Sequence, residues 1–189
     1  LRRQRQMCIR DSKAMELIGE NIRRFVANRT DVEAAEAMMV GSLFAGIAFS
    51  FARLGNVHAM SHPVSAFFDV PHGVANAVLL PVVAEYNALA DHGRYYKIYN
   101  YISEIPAHED EFEPMMLVDA IRSLCKAIGI PANLTEAINQ AGKTGSISRK
   151  TIEEKIEAMA ADAMKSGNIA VNPRSSRQCD IEMLYRKAL

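Results

Sequence analysis

Apolar residues return at three- and four-residue intervals along nearly the whole chain, and that period restricts it to helices. The first stripe, Ala14, Leu17, Ile18, Ile22 and Phe25, predicts an amphipathic helix closing near Asn28. Thr30-Asp31-Val32-Glu33 reads as a capping box, with the threonine capping the next helix and the glutamate reaching back. That helix is expected to run to about Phe51, and Ser42, Gly46 and Ser50 form a smooth stripe along it for a close neighbour. Leu54-Gly55-Asn56 ends it. The segment carrying His58 and His62 comes next, where Pro63 removes an intrahelical hydrogen bond and predicts a kink or an end. Val74, Val78, Leu79, Val82 and Val83 mark a helix to about Ala88 despite Pro81. Further helices are expected over residues 93–102, 115–128, 134–140, 148–164 and 180–188, with Gly129-Ile130-Pro131 as a stop signal. No strand alternation or internal repeat is evident. The predicted fold class is all-α, a helical bundle.

A chain of 189 residues is expected to form one domain with a substantial core. Lys+Arg and Asp+Glu both number 22, so the chain lacks the basic excess of a nucleic-acid binder. The most apolar stretch, residues 37–52, is shorter than the roughly 20 residues that a bilayer requires. It contains Gly41, Ser42, Gly46 and Ser50, and reads as a buried core helix with no membrane role. Cys8, Cys125 and Cys179 are far apart and form no Cys-x-x-Cys pair, which points to a reducing, cytoplasmic compartment. Residues 1–12 differ in character from the rest of the chain and read as a non-native leader ahead of a fold in 13–189. On that reading the chain is the tail of a longer protein. A basic amphipathic arm is the alternative.

Three of the five histidines cluster. His58 and His62 are four apart and share one helix face. His72 stands between Pro71 and Gly73, at a turn before a new element. Side chains so placed can converge, which makes a metal or proton-transfer site the first hypothesis. A zinc-protease reading fails because Ala59 follows His58 where that motif needs glutamate. No acidic ligand is evident nearby, since Asp69 is assigned to the turn. Phe49, Phe51, Phe67 and Phe68 read first as core aromatics, or else as the lining of a pocket for a small substrate. Asn172-Pro173-Arg174 reads as a rigid turn. No Gly-x-Gly-x-x-Gly fingerprint, phosphate loop or Gly-x-Ser-x-Gly elbow is present.

The run over residues 55–87 resembles the second signature of the iron-containing, group III alcohol dehydrogenases. It is carried by Gly55, His58, Ala59, His62, Pro71, His72 and Gly73, continuing through Val74-Ala75-Asn76-Ala77-Val78-Leu79-Leu80-Pro81 and Tyr86-Asn87. The likeness extends from about Lys13 through Gly129-Ile130-Pro131 and Asn172-Pro173-Arg174, and is nearest to the lactaldehyde reductase and propanediol dehydrogenase branch. Ser65 stands where glycine is common.

The resemblance implies a C-terminal, all-helical, dehydroquinate synthase-like domain that carries a metal. An N-terminal NAD(P)-binding domain lies outside this sequence. It implies His58 and His72 as two of four ligands to Fe(II), with zinc the alternative, and one aspartate and one histidine from an earlier motif. His62 is then a catalytic histidine beside the nicotinamide, and Phe49 lines the substrate region. The implied activity is oxidation of a small primary alcohol or diol and reduction of the aldehyde, in a homodimer or higher oligomer. Such a fragment alone is expected to be inactive. Two competing expectations are a self-contained helical metal-binding or scaffold protein and a stand-alone three-histidine metalloenzyme.

Overall fold

The computed structural model describes residues 2–142 and 146–189, with side chains from Arg10 onward, so the Cys8 side chain lies outside it. All regular structure among the described residues is helical: α1 (Arg2–Ala27), α2 (Val32–Ala52), α3 (Gly55–Phe68), α4 (His72–Asn87), α5 (Arg94–Ile102), α6 (Pro114–Ala127), α7 (Leu134–Ala141), α8 (Arg149–Glu153), α9 (Ile156–Met164) and α10 (Gln178–Ala188). Short 3₁₀ turns occupy Ala88–Ala90 and Ile169–Val171. The all-α expectation holds. The helices gather into two compact units, Leu1–Arg53 with His92–Ile128 and Leu54–Asp91 with Gly129–Leu189. Periodicity is local in sequence and carries no record of which helices share a core.

In the first unit α1 packs along α2, and α5 packs on α1 and α6. Asp31, not Thr30, is the N-cap of α2: its carboxylate accepts the Ala34 N–H at 3.0 Å. Thr30 instead pairs with Asn28 Oδ1 at 2.7 Å. Glu33 does not reach back to the cap; Arg24 bridges it and Asp31, at 3.0 Å each. The small residue that admits a neighbour is Gly41, against Ile18 and Ala14, and not the Ser42, Gly46 and Ser50 stripe. Ser50 turns its hydroxyl to the Gly46 carbonyl and is exposed.

The expectation that α2 is a buried core helix is also corrected. Its buried residues are Ala34, Gly41 and Ala48, while Met39 is 74% and Phe51 64% exposed. A helix apolar on all sides can bury only the face that meets a partner. By length and composition alone, Val32–Ala52 and His72–Ala90 could each cross a membrane.

The second unit holds α3, α4 and α7 to α10 around one core. Met60 and Val64 of α3, Leu79 of α4, Met159 of α9, and Ile181 and Leu184 of α10 are fully buried in it. Tyr185 is buried among them and donates its hydroxyl to the Met60 carbonyl at 2.6 Å. That hydroxyl is held neutral by burial, with Asp162 adding to the effect. The amphipathic run expected over 148–164 is broken at Glu154 and Lys155 into α8 and α9. Pro63 lies buried inside an unbroken α3, because packing on α9 outweighs one missing hydrogen bond.

Candidate functional site

The histidines are brought together by two local devices. The first is the start of α3. Gly55 has φ +69°, a left-handed conformation that glycine adopts without strain. The first N–H groups of a helix have no internal partner. Here the Asn168 side chain accepts from Leu54 N–H at 3.4 Å and Asn172 Oδ1 accepts from Asn56 N–H at 3.1 Å. Asn172 also exchanges hydrogen bonds with the Asn87 side chain, donating to Asn87 Oδ1 at 2.7 Å. Arg174 lies over the Tyr86 ring at 3.9 Å and donates to the Tyr86 carbonyl. The Asn172-Pro173-Arg174 segment is therefore a clamp joining the start of α3 to the end of α4.

The second device is the reversal between α3 and α4. Asp69 ends α3 in the left-handed region at φ 56°, its N–H returning to the Ser65 carbonyl. Val70 anchors the turn in the core, and the Pro71 carbonyl accepts the Val74 and Ala75 N–H groups. His72 becomes the first residue of α4. Asp69 thus serves the turn, as expected.

The three rings cluster. The His58 and His72 centroids are 4.9 Å apart in an edge-on arrangement with planes at 70°. His62 and His72 are stacked at 5.0 Å and 20°, and His58 and His62 are 6.1 Å apart. A ring nitrogen's lone pair lies in the ring plane. Stacked rings hold their lone pairs side by side, whereas edge-on rings can turn them toward one point. His58 is half-buried, and burial, then His72 and His62, pushes its pKa below the ordinary histidine value. A neutral imidazole is the form that ligates metals.

No group of three or more His, Cys, Asp or Glu side chains among the described residues is arranged to hold a metal ion. The His58 and His72 pair is chemically suited to contribute two nitrogen donors to a first-row cation.

Sequence reasoning missed two neighbours of this cluster. Asn76 Nδ2 lies 3.4 Å from His58 Nε2, and its Oδ1 is buried with no partner among the described residues. Ser61 Oγ lies 3.4 Å from His72 Nδ1. Their signal was helical spacing, with Ser61 three after His58 and Asn76 four after His72. Phe49 lies on α2 in the first unit and is exposed, as are Phe51 and Phe67, so these three are not core aromatics. Phe68 packs against the core of the second unit.

The family described as Fe-containing alcohol dehydrogenase, C-terminal, matches residues 6–189. The chain belongs to this family. Among curated relatives, the 1,3-propanediol dehydrogenase of Citrobacter freundii is 37% identical over 180 residues, covering 93% of this chain and 43% of the relative. Lactaldehyde reductase of Escherichia coli (strain K12) is 35% identical over 177 residues, with the same coverage of each. A crystal structure of 1,3-propanediol oxidoreductase superimposes with a TM-score of 0.81 at 36% identity, over 94% of this chain and 44% of that one. The chain thus spans less than half the length of these relatives. The Fe-containing alcohol dehydrogenase match begins ahead of Lys13, the expected start of the likeness, and continuous helix α1 runs through that point.

Proposed function

We propose that residues 13–189 form the helical, metal-holding part of an NAD(P)-linked alcohol dehydrogenase or aldehyde reductase. Its substrates are small primary alcohols, diols and their aldehydes, and it works in the cytoplasm as a homodimer or larger homo-oligomer. The observation that carries this reading is the edge-on pair of His58 and His72 rings, their centroids 4.9 Å apart. Family membership and the likeness to diol and aldehyde enzymes support it.

His58 and His72 would hold the cation, Fe(II) or zinc, with further ligands from outside this sequence. When bound, the cation supplies Lewis-acid polarisation of the alcohol oxygen. His58 is fixed by the first turn of α3 and His72 by the Asp69-to-Pro71 reversal, so both ligands sit on packed helices. His62 is exposed beside His72 and is the group to take up the alcohol proton and pass it toward solvent. It would also lie against the nicotinamide. Phe49 would line the substrate region.

The α2 face argues against the self-contained scaffold. A chain complete in itself would cover that surface or make it polar, and Met39, Leu43 and Phe51 are exposed.

Metal analysis of the chain and its variants tests the ligand assignment. His58→Ala and His72→Ala should each lower Co(II) or Fe(II) affinity at least tenfold, while His62→Ala keeps most of it. Dependence on His62 with indifference to His72 would overturn the assignment. Activity is tested by placing residues 13–189 in the Citrobacter 1,3-propanediol dehydrogenase in place of the matching segment. Turnover should appear with NAD and 1,3-propanediol, and fall steeply with His62→Ala at unchanged metal content.

A further inference from the structure

Ser61 is fully buried on α3, one turn from His58, and has no part in the proton path through His62. Its Oγ lies 3.1 Å from the His58 carbonyl oxygen and 3.4 Å from His72 Nδ1. A hydroxyl has one proton to donate, and a carbonyl oxygen can only accept. The His58 carbonyl, at the shorter distance, is the favoured acceptor for the Ser61 proton. With the proton there, the hydroxyl offers only lone pairs toward His72, and Nδ1 is then the donor. A neutral imidazole carries one N–H, which leaves Nε2 with a free lone pair.

We propose that Ser61 is a positioning residue that holds His72 as the Nδ1–H tautomer and leaves Nε2 to ligate. Through it the ring of one ligand is tied to the backbone of the other. The inference deepens the metal-site reading and rests on it. Its physical basis is general: a ligating histidine is oriented by whatever binds its second nitrogen. His72 is exposed at the first residue of α4; its ring meets the His58 and His62 rings, and Ser61 Oγ is the polar group that lies against its Nδ1. Ser61 is rigid by comparison, buried in the middle of a packed helix.

The test uses the full chain with Ser61→Ala and Ser61→Thr. Alanine favours helix, and the His58 carbonyl sits inside a helix, so the first variant should fold; far-UV circular dichroism checks this. Ring nitrogen-15 shifts, recorded without metal well above the ordinary histidine pKa, report the tautomer directly. His72 should be mainly Nδ1–H in the wild type and shift toward Nε2–H in Ser61→Ala. Co(II) affinity should fall about 10- to 100-fold in Ser61→Ala. Ser61→Thr keeps a hydroxyl and should restore both; if it is too bulky to fold, Ser61→Ala decides alone. A His72 tautomer unchanged in Ser61→Ala, or already Nε2–H in the wild type, overturns the proposal. A chimera with residues 13–189 in the Citrobacter enzyme that binds no Co(II) overturns the metal-site reading instead, because the tautomer is measured without metal.

Discussion

Asn172 makes more of this molecule's long-range connections than its place in a loop suggests. Its Oδ1 accepts from Asn56 N–H and Asn87 Nδ2, and its Nδ2 donates to Asn87 Oδ1 and the Arg174 carbonyl. Replacing it by alanine strands partners that are partly or wholly buried, each costing about 1–3 kcal/mol when unsatisfied. Asn172→Ala should therefore destabilise the chain by about 2–4 kcal/mol in urea unfolding, allowing for partial solvent rescue. Because the Asn56 N–H lies two residues before His58, the same variant should also weaken Co(II) binding. Gly55 adds a second constraint, since a Cβ there would lie 3.1 Å from Asn172 Oδ1 in a left-handed backbone.

Asp31 gives a pH-dependent prediction at the same scale. The Ala34 N–H it accepts, and then Arg24, hold its carboxyl below the ordinary value of 3.8. A carboxyl with a lowered folded pKa contributes stability above its unfolded pKa and loses it as pH falls through the folded one. The melting temperature should fall on acidification from about pH 5 to pH 2, and less steeply in Asp31→Asn, which retains a capping oxygen. An equal slope in both proteins would refute this role.

Among the elements, α1 and α5 come into close contact at Gly19. A Cβ at Gly19 would overlap the Tyr101 carbonyl and crowd the backbone of Ile102. Backbone cannot swing aside as a side-chain tip can. Gly19→Ala should cost about 1–3 kcal/mol, or more, despite alanine's higher helix propensity. Gly46→Ala meets little in the structure and should be neutral or slightly stabilising, as thermal melts would show. The contrast matters because the sequence stripe suggested Gly46 as the contact. Gly19 sits alone on its face with no neighbouring small residue to signal a crossing. The contact is set by α5, some eighty residues along the chain.

At the scale of the whole molecule, the exposed apolar face of α2 has a measurable consequence. Val32, Met39, Leu43 and Phe51 are each at least 60% exposed. The chain should bind a hydrophobic dye in its folded state, and Leu43→Lys with Phe51→Lys should reduce that signal without lowering the melting temperature. A dye signal unchanged by the pair would place the apolar surface elsewhere.

What was legible in the sequence was local. Helical period, the Leu54-Gly55-Asn56 break, the turn at Asp69 and the spacing of His58, His62 and His72 all depend on residues a few positions apart. The family signature lay in the same short run, and the match over residues 6–189 bears it out. The N-cap lies one residue beyond the expected Thr30, because Thr30 and Asp31 can both cap; in the fold Thr30 is taken up by Asn28, and Asp31 also pairs with Arg24 on another helix.

By itself, then, the sequence determined that the chain is helical, where most of its helices start and stop, and which family it belongs to. Only the tertiary structure decided which face of α2 is covered, that Pro63 is absorbed into a straight-through α3, and that His58 meets His72 edge-on while His62 stacks. The physical reason is reach. Turns and helix period are written in neighbouring residues, whereas burial and ring orientation depend on Asn172, Ser61 and the helices that pack from far along the chain.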